Sequence, residues 1–254
     1  NANIEAFTLI FDNEKYVDSK SIHAQLITKI NTNNLSLVFE KNDIIINKLP
    51  VRFKGAFAFL TNGYHLDFKL KSQESTLSDL LSLVPKGYAD WLQDTKIKGS
   101  SEVFMNLIGD YIVEENKMPN LSLGLIINDG YLSYKDAKVP LSELNTKVRI
   151  DIPQLNPDSL AIDLKQFDFK VAAGYFKTEA NIKGIDPMQV QGTVSSALDL
   201  GSLYQAIKWP DFSIAGQLEL DGQVDGTYST DTLTYGIRNK KEVYISSIPT
   251  FNIK

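Results

Sequence analysis

Apolar and polar residues alternate with a period of two along most of the chain. Leu66, Phe68 and Leu70 alternate with polar neighbours, and the same spacing recurs over 121–127 and 160–164. Because successive side chains of a strand point to opposite faces, this pattern predicts strands with one apolar face. Segments rich in Asn, Asp, Gly and Pro, at 61–63, 128–130 and 155–158, separate the strands and predict turns. The sequence therefore predicts a mainly β, antiparallel, hairpin-rich chain.

Two short segments follow the spacing of an amphipathic helix instead. Ser75 or Thr76 precedes the first segment and Asp199 the second, as candidate N-caps, while Pro85 and Pro210 are candidate stops. Helices are therefore predicted near 76–84 and 199–208. The second apolar set repeats the first after 123 residues (200 minus 77): Leu77, Leu80, Leu81 and Val84, then Leu200, Leu203, Tyr204 and Ile207.

The strands after the two helices also resemble each other. Residues 97–100 and 109–111 correspond to 214–217 and 226–228, at a shift of 117 residues (214 minus 97). We interpret this as a duplication with one repeat at 1–117 and another at 118–254, each carrying one helix. The expected architecture is a strongly curved antiparallel sheet, or two such sheets, formed by two tandem repeats.

Composition excludes several classes of function. The 254 residues carry a formal net charge of −5 and contain no cysteine. Binding to nucleic acid is not expected, because it generally requires a basic stripe. Disulfides, thiolate metal sites and thiol nucleophiles are excluded. No apolar run reaches the length of a membrane-spanning helix, and the absence of an initiator methionine predicts an upstream segment that is missing here.

Residues that could perform catalysis or bind a metal are few. Alternation places His23 and His65 toward solvent. The segment 221–226 resembles the start of a calcium loop, but Thr232 occupies the position of the bidentate glutamate, so we expect a turn there. The sequence thus predicts no enzyme and no catalytic, cofactor or metal site. A glycosidase using paired carboxylates is a distant alternative.

Large apolar residues of the strands are the remaining candidates for a functional surface. Periodicity does not separate the closed core of a structural or protein-interaction module from an open groove that binds acyl chains. If the groove exists, its lining is predicted to include Phe57, Phe59, Leu66, Phe68, Leu123, Leu125, Leu164, Phe167 and Phe169.

Three segments resemble the AsmA family of bacterial envelope proteins. They are the helical segment 77–85, the strand beginning Ile97-Lys98-Gly99, and the segment 126–134, which reads IINDGYLSY. The second repeat departs from the family pattern by carrying Tyr204 and Trp209 where leucine is commoner. The resemblance extends over nearly the whole chain through short, degenerate motifs.

The resemblance implies a non-catalytic segment on the periplasmic side of the cell envelope, tethered to a membrane by a missing N-terminal segment. AsmA proteins are similar to lipid-transfer proteins whose β repeats form an apolar groove, and are linked to outer-membrane homeostasis and assembly. Expected partners are phospholipid acyl chains and other envelope proteins, with no cofactor.

Overall fold

The structure is a computed structural model that describes residues 2–11, 14–84, 94–207, 213–232 and 247–253. Within these residues, fifteen strands form one sheet, and two helices accompany it. The strands are β1 (Ala2–Phe11), β2 (Glu14–Gln25), β3 (Thr28–Asn31), β4 (Ser36–Ile46), β5 (Leu49–Leu60), β6 (Gly63–Ser72), β7 (Ser75–Thr76), β8 (Thr95–Tyr111), β9 (Asn120–Tyr134), β10 (Leu141–Ile152), β11 (Ala161–Val171), β12 (Gly174–Lys183), β13 (Met188–Asp199), β14 (Gln217–Thr232) and β15 (Ser247–Ile253). The helices are α1 (Leu77–Leu81) and α2 (Leu200–Ile207).

Strand order follows the chain almost without interruption. The order is β1-β2-β4-β5-β6-β8-β9-β10-β11-β12-β13-β14-β15, with β3 beside β4 and β7 beside β8, and each described pair is antiparallel. The sheet is open, with β1 and β15 as its two edges. The prediction of a mainly β, antiparallel chain is confirmed. Alternating apolar and polar residues with short connections favour strands that follow one another as hairpins.

Both predicted helices are present, and both begin with a capping side chain. Thr76 accepts a hydrogen bond from the Asp79 backbone N–H at 3.1 Å, and the Asp79 carboxylate accepts one from the Thr76 N–H. Asp199 accepts one from the Ser202 N–H at 2.9 Å. Such caps satisfy backbone donors that a helix leaves free. Pro85 and Pro210 lie outside the described residues, and neither helix is long and apolar enough to cross a bilayer.

Two turn predictions were wrong, because glycine-containing segments continue as strands. Residues 128–130 lie inside β9, where Asp129 has φ 50° and the pairing with β8 and β10 shifts register. Asp129, the residue with positive φ, forms a β-bulge, so the strand continues there and the chain does not reverse. Residues 221–226 lie within β14, paired with β13. The turns at 61–62 and 155–158 are confirmed.

The two helices lie at the same end of the strands, which we call the helix end, and the opposite end is the open end. At the helix end, Ala206 of α2 forms a buried cluster with Leu141 and Val171. Leu77 of α1 is buried there as well, as are Leu49 and Val51 of β5. The fully buried core is therefore concentrated beside the helices.

The predicted boundary between residues 117 and 118 falls in the connection between β8 and β9. These two strands pair along most of their length, from Thr95–Tyr134 to Ile108–Asn120, so the sheet continues across the boundary. The division into 1–117 and 118–254 stays a prediction.

Candidate functional site

One face of the sheet is apolar across the strands from β4 to β14. Residues directly opposite each other in paired strands share a face, so the register assigns each residue to one side. One row of mutually opposite residues crosses seven strands and contains six aliphatic residues and one methionine: Leu70, Met105, Leu123, Ile150, Ile162, Ile182 and Val190. We call this side the apolar face and the other the polar face.

The apolar face is large for a surface against which the described residues place no second sheet. Ten strands lie side by side from β4 to β14, which at about 4.8 Å each span roughly 43 Å. Four alternating positions on β9, from Leu121 to Ile127, cover about 20 Å along the strand. The resulting area, roughly 860 Å², exceeds the few hundred Å² of apolar patch usual on a monomer.

All nine predicted lining residues lie on this face. Phe57 is opposite Leu66, Leu125 is opposite Val148, and Val148 is opposite Leu164 on its other side, so the strands bring the set together. Eight of the nine are half-buried, and Phe59 is 50% exposed. Residues in a closed two-layer core would be buried almost completely, so the lining positions are accessible from outside.

Two groups of three phenylalanine rings lie on the apolar face. Phe39, Phe53 and Phe68 pack with ring centroids 5.3–6.1 Å apart. Phe167, Phe169 and Phe176 form the second cluster at 5.4–6.0 Å. Phe39, Phe53 and Phe176 were not among the predicted lining residues, although the alternation within β4, β5 and β12 carried the signal.

A glycine shapes the first aromatic cluster. Gly55 lies opposite Phe68, and a Cβ at Gly55 would overlap the Asp67 carbonyl oxygen and come within 2.9 Å of the Phe68 ring. Glycine within a strand leaves room for a close approach of this kind. The cluster therefore depends on the absence of a side chain at residue 55.

Helix α2 covers one part of the apolar face. Leu203, Ala206 and Ile207 contact a surface formed by β9, β10 and β11. The residues that receive the helix are Leu132, Val139, Leu141, Leu144, Phe169 and Val171. Phe169 therefore lies at the boundary between the covered and the uncovered parts of the face.

The end of α1 is held by polar contacts from neighbouring strands. The Lys20 ammonium donates to the carbonyl oxygens of Ser82 and Val84, at 3.3 and 3.0 Å, and the Asn47 amide donates to the Ser82 carbonyl at 2.7 Å. Free carbonyls at a helix C-terminus attract such donors. These contacts anchor α1 to β2 and to the β4–β5 turn.

The polar face carries charged side chains in short networks. Asp110 accepts hydrogen bonds from Lys117 at 2.7 Å and from His65 at 2.6 Å, and these lower the pKa of the Asp110 carboxyl below its usual value, with Lys117 the larger cause. The Arg149 guanidinium likewise lowers the pKa of Asp151. Both networks lie on exposed strand surface, where ion pairs contribute little stability.

The absence of a catalytic or metal site stays a prediction. His23 is exposed, and His65 is half-buried beside Asp110. Among the described residues, no group of three or more His, Asp or Glu side chains is placed to hold a metal ion. Two shallow depressions of about 410 and 430 Å³ over β11–β14 are lined by polar-face residues such as Glu179, Thr193 and Gln223.

Comparisons with protein-family models, with curated proteins and with solved structures find no match to this chain. The resemblance to the AsmA family therefore rests on the sequence motifs alone. The apolar face is the feature of the described residues that points to a function.

Proposed function

We propose that this chain is a non-catalytic module that binds lipid acyl chains on its apolar face. The observation that carries the proposal is a broad apolar face, continuous over ten strands, whose aromatic and aliphatic residues stay partly exposed. Water-exposed apolar area of this size is unfavourable unless a ligand or partner covers it. An acyl chain covers such a surface without needing specific hydrogen bonds.

The proposed mechanism is passive partition. An acyl chain leaves water or a bilayer and lies against the aliphatic rows, gaining about 0.8 kcal/mol for each CH₂ group that becomes buried. The polar face stays hydrated, because its strands carry residues such as Lys147, Arg149 and Asp163. Binding of this kind is reversible and tolerates chains of different length.

We further propose that the sheet is built from two tandem repeats and that it curves strongly around bound chains. Helix α1 lies between the paired strands β6 and β8, and helix α2 between the paired strands β13 and β14. Gly99 and Gly216, which are 117 residues apart (216 minus 99), both have positive φ, at 114° and 125°. Equivalent helices and glycines of equivalent conformation are what a duplication would leave.

The proposed setting is the periplasmic side of a bacterial envelope, in lipid transport or in outer-membrane homeostasis and assembly. This part of the proposal is supported by the AsmA-like motifs at 77–85 and 126–134. A membrane tether outside this chain and contacts with other envelope proteins belong to the same proposal. The alternative is a structural or protein-interaction module, which the buried cluster of Leu141, Val171 and Ala206 favours.

Two adjacent residues of β9 provide the test. Leu125 lies on the apolar face and Ile126 on the polar face, and both are half-buried. We expect Leu125→Asp to abolish capture of phospholipid, measured by native mass spectrometry after expression in bacteria, because a carboxylate is poorly tolerated against acyl chains. Ile126→Asp is the matched control and should retain the lipid.

Thermal unfolding of both variants separates binding from folding. The proposal requires that Leu125→Asp stays folded, because the half-buried position leaves the new carboxylate in contact with water. Wild-type protein that carries no lipid, together with outright unfolding of Leu125→Asp, would favour the closed structural module instead.

A further inference from the structure

An exposed apolar cluster lies at the open end, away from both helices. Its members are Phe59, Leu60, Tyr64, Tyr111 and Val113, and we call it the open corner. Val113 is 61% exposed and Phe59 is 50% exposed, and Leu60 and Tyr64 are exposed as well. The cluster combines residues of the β5–β6 hairpin with the end of β8.

The open corner extends past the neighbouring part of the sheet. Strand β10 ends at Ile152, opposite Leu121 of β9. The β8–β9 hairpin continues further, to a bridge between Ile112 and Lys117. The β10–β11 connection still contacts Asn120 of β9, so the hairpin extends three residues further, to Lys117 (120 minus 117), or about 10 Å. Val113 lies at the tip of this hairpin and is the most exposed member of the open corner.

The aromatic rings of the corner are ordered by contacts with one another. The Phe59 and Tyr64 rings are 5.7 Å apart, and the Tyr64 and Tyr111 rings are nearly parallel at 6.3 Å. Phe57 contacts Phe59 at 5.0 Å, which connects the corner to the apolar face. The rings surround a depression of about 430 Å³. An apolar path thus runs from the tip to the proposed lipid-binding surface.

The lining of this depression contains no charged side chain among the described residues, since its remaining members are Thr61, Asn62 and Gly63. Glu115, on the β8–β9 hairpin beside the depression, accepts a hydrogen bond from Asn62 at 3.2 Å. A carboxylate at the rim disfavours an anionic surface. Tyrosine and phenylalanine are suited to the headgroup region of a bilayer, where the ring is buried and the tyrosine hydroxyl stays hydrated.

We propose that the open corner docks on the headgroup region of a bilayer composed of zwitterionic phospholipid, and that lipids pass from it onto the apolar face. The inference rests on the proposed function, because the docked corner delivers chains to that face. Four features support it together: exposure at a projecting tip, an aromatic path to the face, an uncharged lining and a rim carboxylate.

The first experiment measures co-sedimentation with phosphatidylcholine vesicles. The wild-type chain should bind, and Leu60→Ser/Val113→Ser should bind roughly tenfold more weakly, because two aliphatic side chains no longer enter the bilayer. The matched control is Leu155→Ser/Ile185→Ser, which removes similarly exposed aliphatic residues from the connections β10–β11 and β12–β13. This control should bind like the wild type.

The second experiment separates this inference from the proposed function. Monomeric lysophosphatidylcholine, detected by native mass spectrometry, should still bind to Leu60→Ser/Val113→Ser, because the apolar face is intact. Leu125→Asp should lose the monomer but keep vesicle binding. A wild type that sediments with vesicles but binds no monomer would contradict the proposed function and the passage of lipid onto the apolar face, whereas the docking of the open corner would stand.

Three outcomes would overturn the docking inference. They are a wild-type chain that does not sediment with phosphatidylcholine vesicles, corner and control variants that sediment equally, and stronger sedimentation with phosphatidylglycerol vesicles. The first would show that the corner does not bind a zwitterionic bilayer. The third would show that the rim carboxylate does not select against anionic lipid.

Discussion

The covered and uncovered parts of the apolar face differ in packing, although the same residue types form both. Leu141, under α2, is 6% exposed, whereas Leu125, on the uncovered part, is half-buried. Both residues lie on strands in which apolar and polar positions alternate. Periodicity therefore identifies the face of a strand but not what covers that face.

The same difference separates the residues that stabilise the fold from the residues that are available to bind a ligand. Residues under the helices contribute to a closed core and are withdrawn from any ligand. Residues in the middle of the face bury less area on folding, and the remainder can be buried by binding. The two regions should therefore respond differently to the same substitution.

The largest expected difference is between Leu141→Ala and Leu125→Ala. Truncation under α2 leaves a cavity and should lower the free energy of unfolding by about 3 kcal/mol. The same truncation on the uncovered face loses only partial burial, about 1 kcal/mol. Denaturant titrations with unchanged slope measure both values. Equal losses would mean that the middle of the face is packed like the core.

A glycine pair tests packing within the uncovered face. Gly55→Ala should destabilise the protein by about 2 kcal/mol, because the new Cβ meets the Asp67 carbonyl oxygen. Gly222 also lies on the apolar face, but nothing lies within 4 Å of the position that a Cβ would take there. Gly222→Ala should therefore leave the unfolding free energy unchanged or slightly raised. Thermal melts of both variants distinguish a tight cluster from open space.

Capping of α1 should have a smaller effect. Thr76→Ala removes the acceptor for the Asp79 N–H and should lower the unfolding free energy by about 1 kcal/mol. Thr28→Ala, at an exposed position of β3, is the control and should change stability by less than about 0.5 kcal/mol. A Thr76→Ala variant as stable as the control would show that α1 does not depend on its cap.

The smallest effect is expected on the polar face. Because the pKa of Asp110 is lowered in the folded state, its ion pair stabilises the protein above the usual carboxyl pKa, and the stabilisation is lost as pH falls through the lowered value. The stability difference between wild type and Asp110→Asn should therefore be present at pH 7 and vanish in strong acid. Lipid capture should be the same for both. A difference independent of pH would exclude the ionised pair as its cause.

The sequence predicted the strands, both helices and the side on which the nine lining residues lie. It did not predict the aromatic clusters, because Phe39 and Phe68 become neighbours only through the register of β4, β5 and β6. The open corner depends on register for the same reason. A single sequence carries the alternation within a strand but little of the register between strands.

The misjudged turns have a local cause. The pair Asp129-Gly130 is compatible with a hairpin turn and with a bulge, since both use a residue with positive φ. Because β9 pairs with β8 on one side and with β10 on the other, the segment forms a bulge and not a turn. Likewise His65, Asp110 and Lys117 meet only because β6, β8 and the following hairpin are adjacent.

Site-specific photo-crosslinking to lipid tests the central claim most directly. A photoreactive amino acid is placed at Leu123 or Leu164 on the apolar face, and at the adjacent Ser122 or Asp163 on the polar face. We expect phospholipid adducts from Leu123 and Leu164 and none from Ser122 and Asp163. Adducts in equal yield from both faces, or none from the apolar positions, would contradict it.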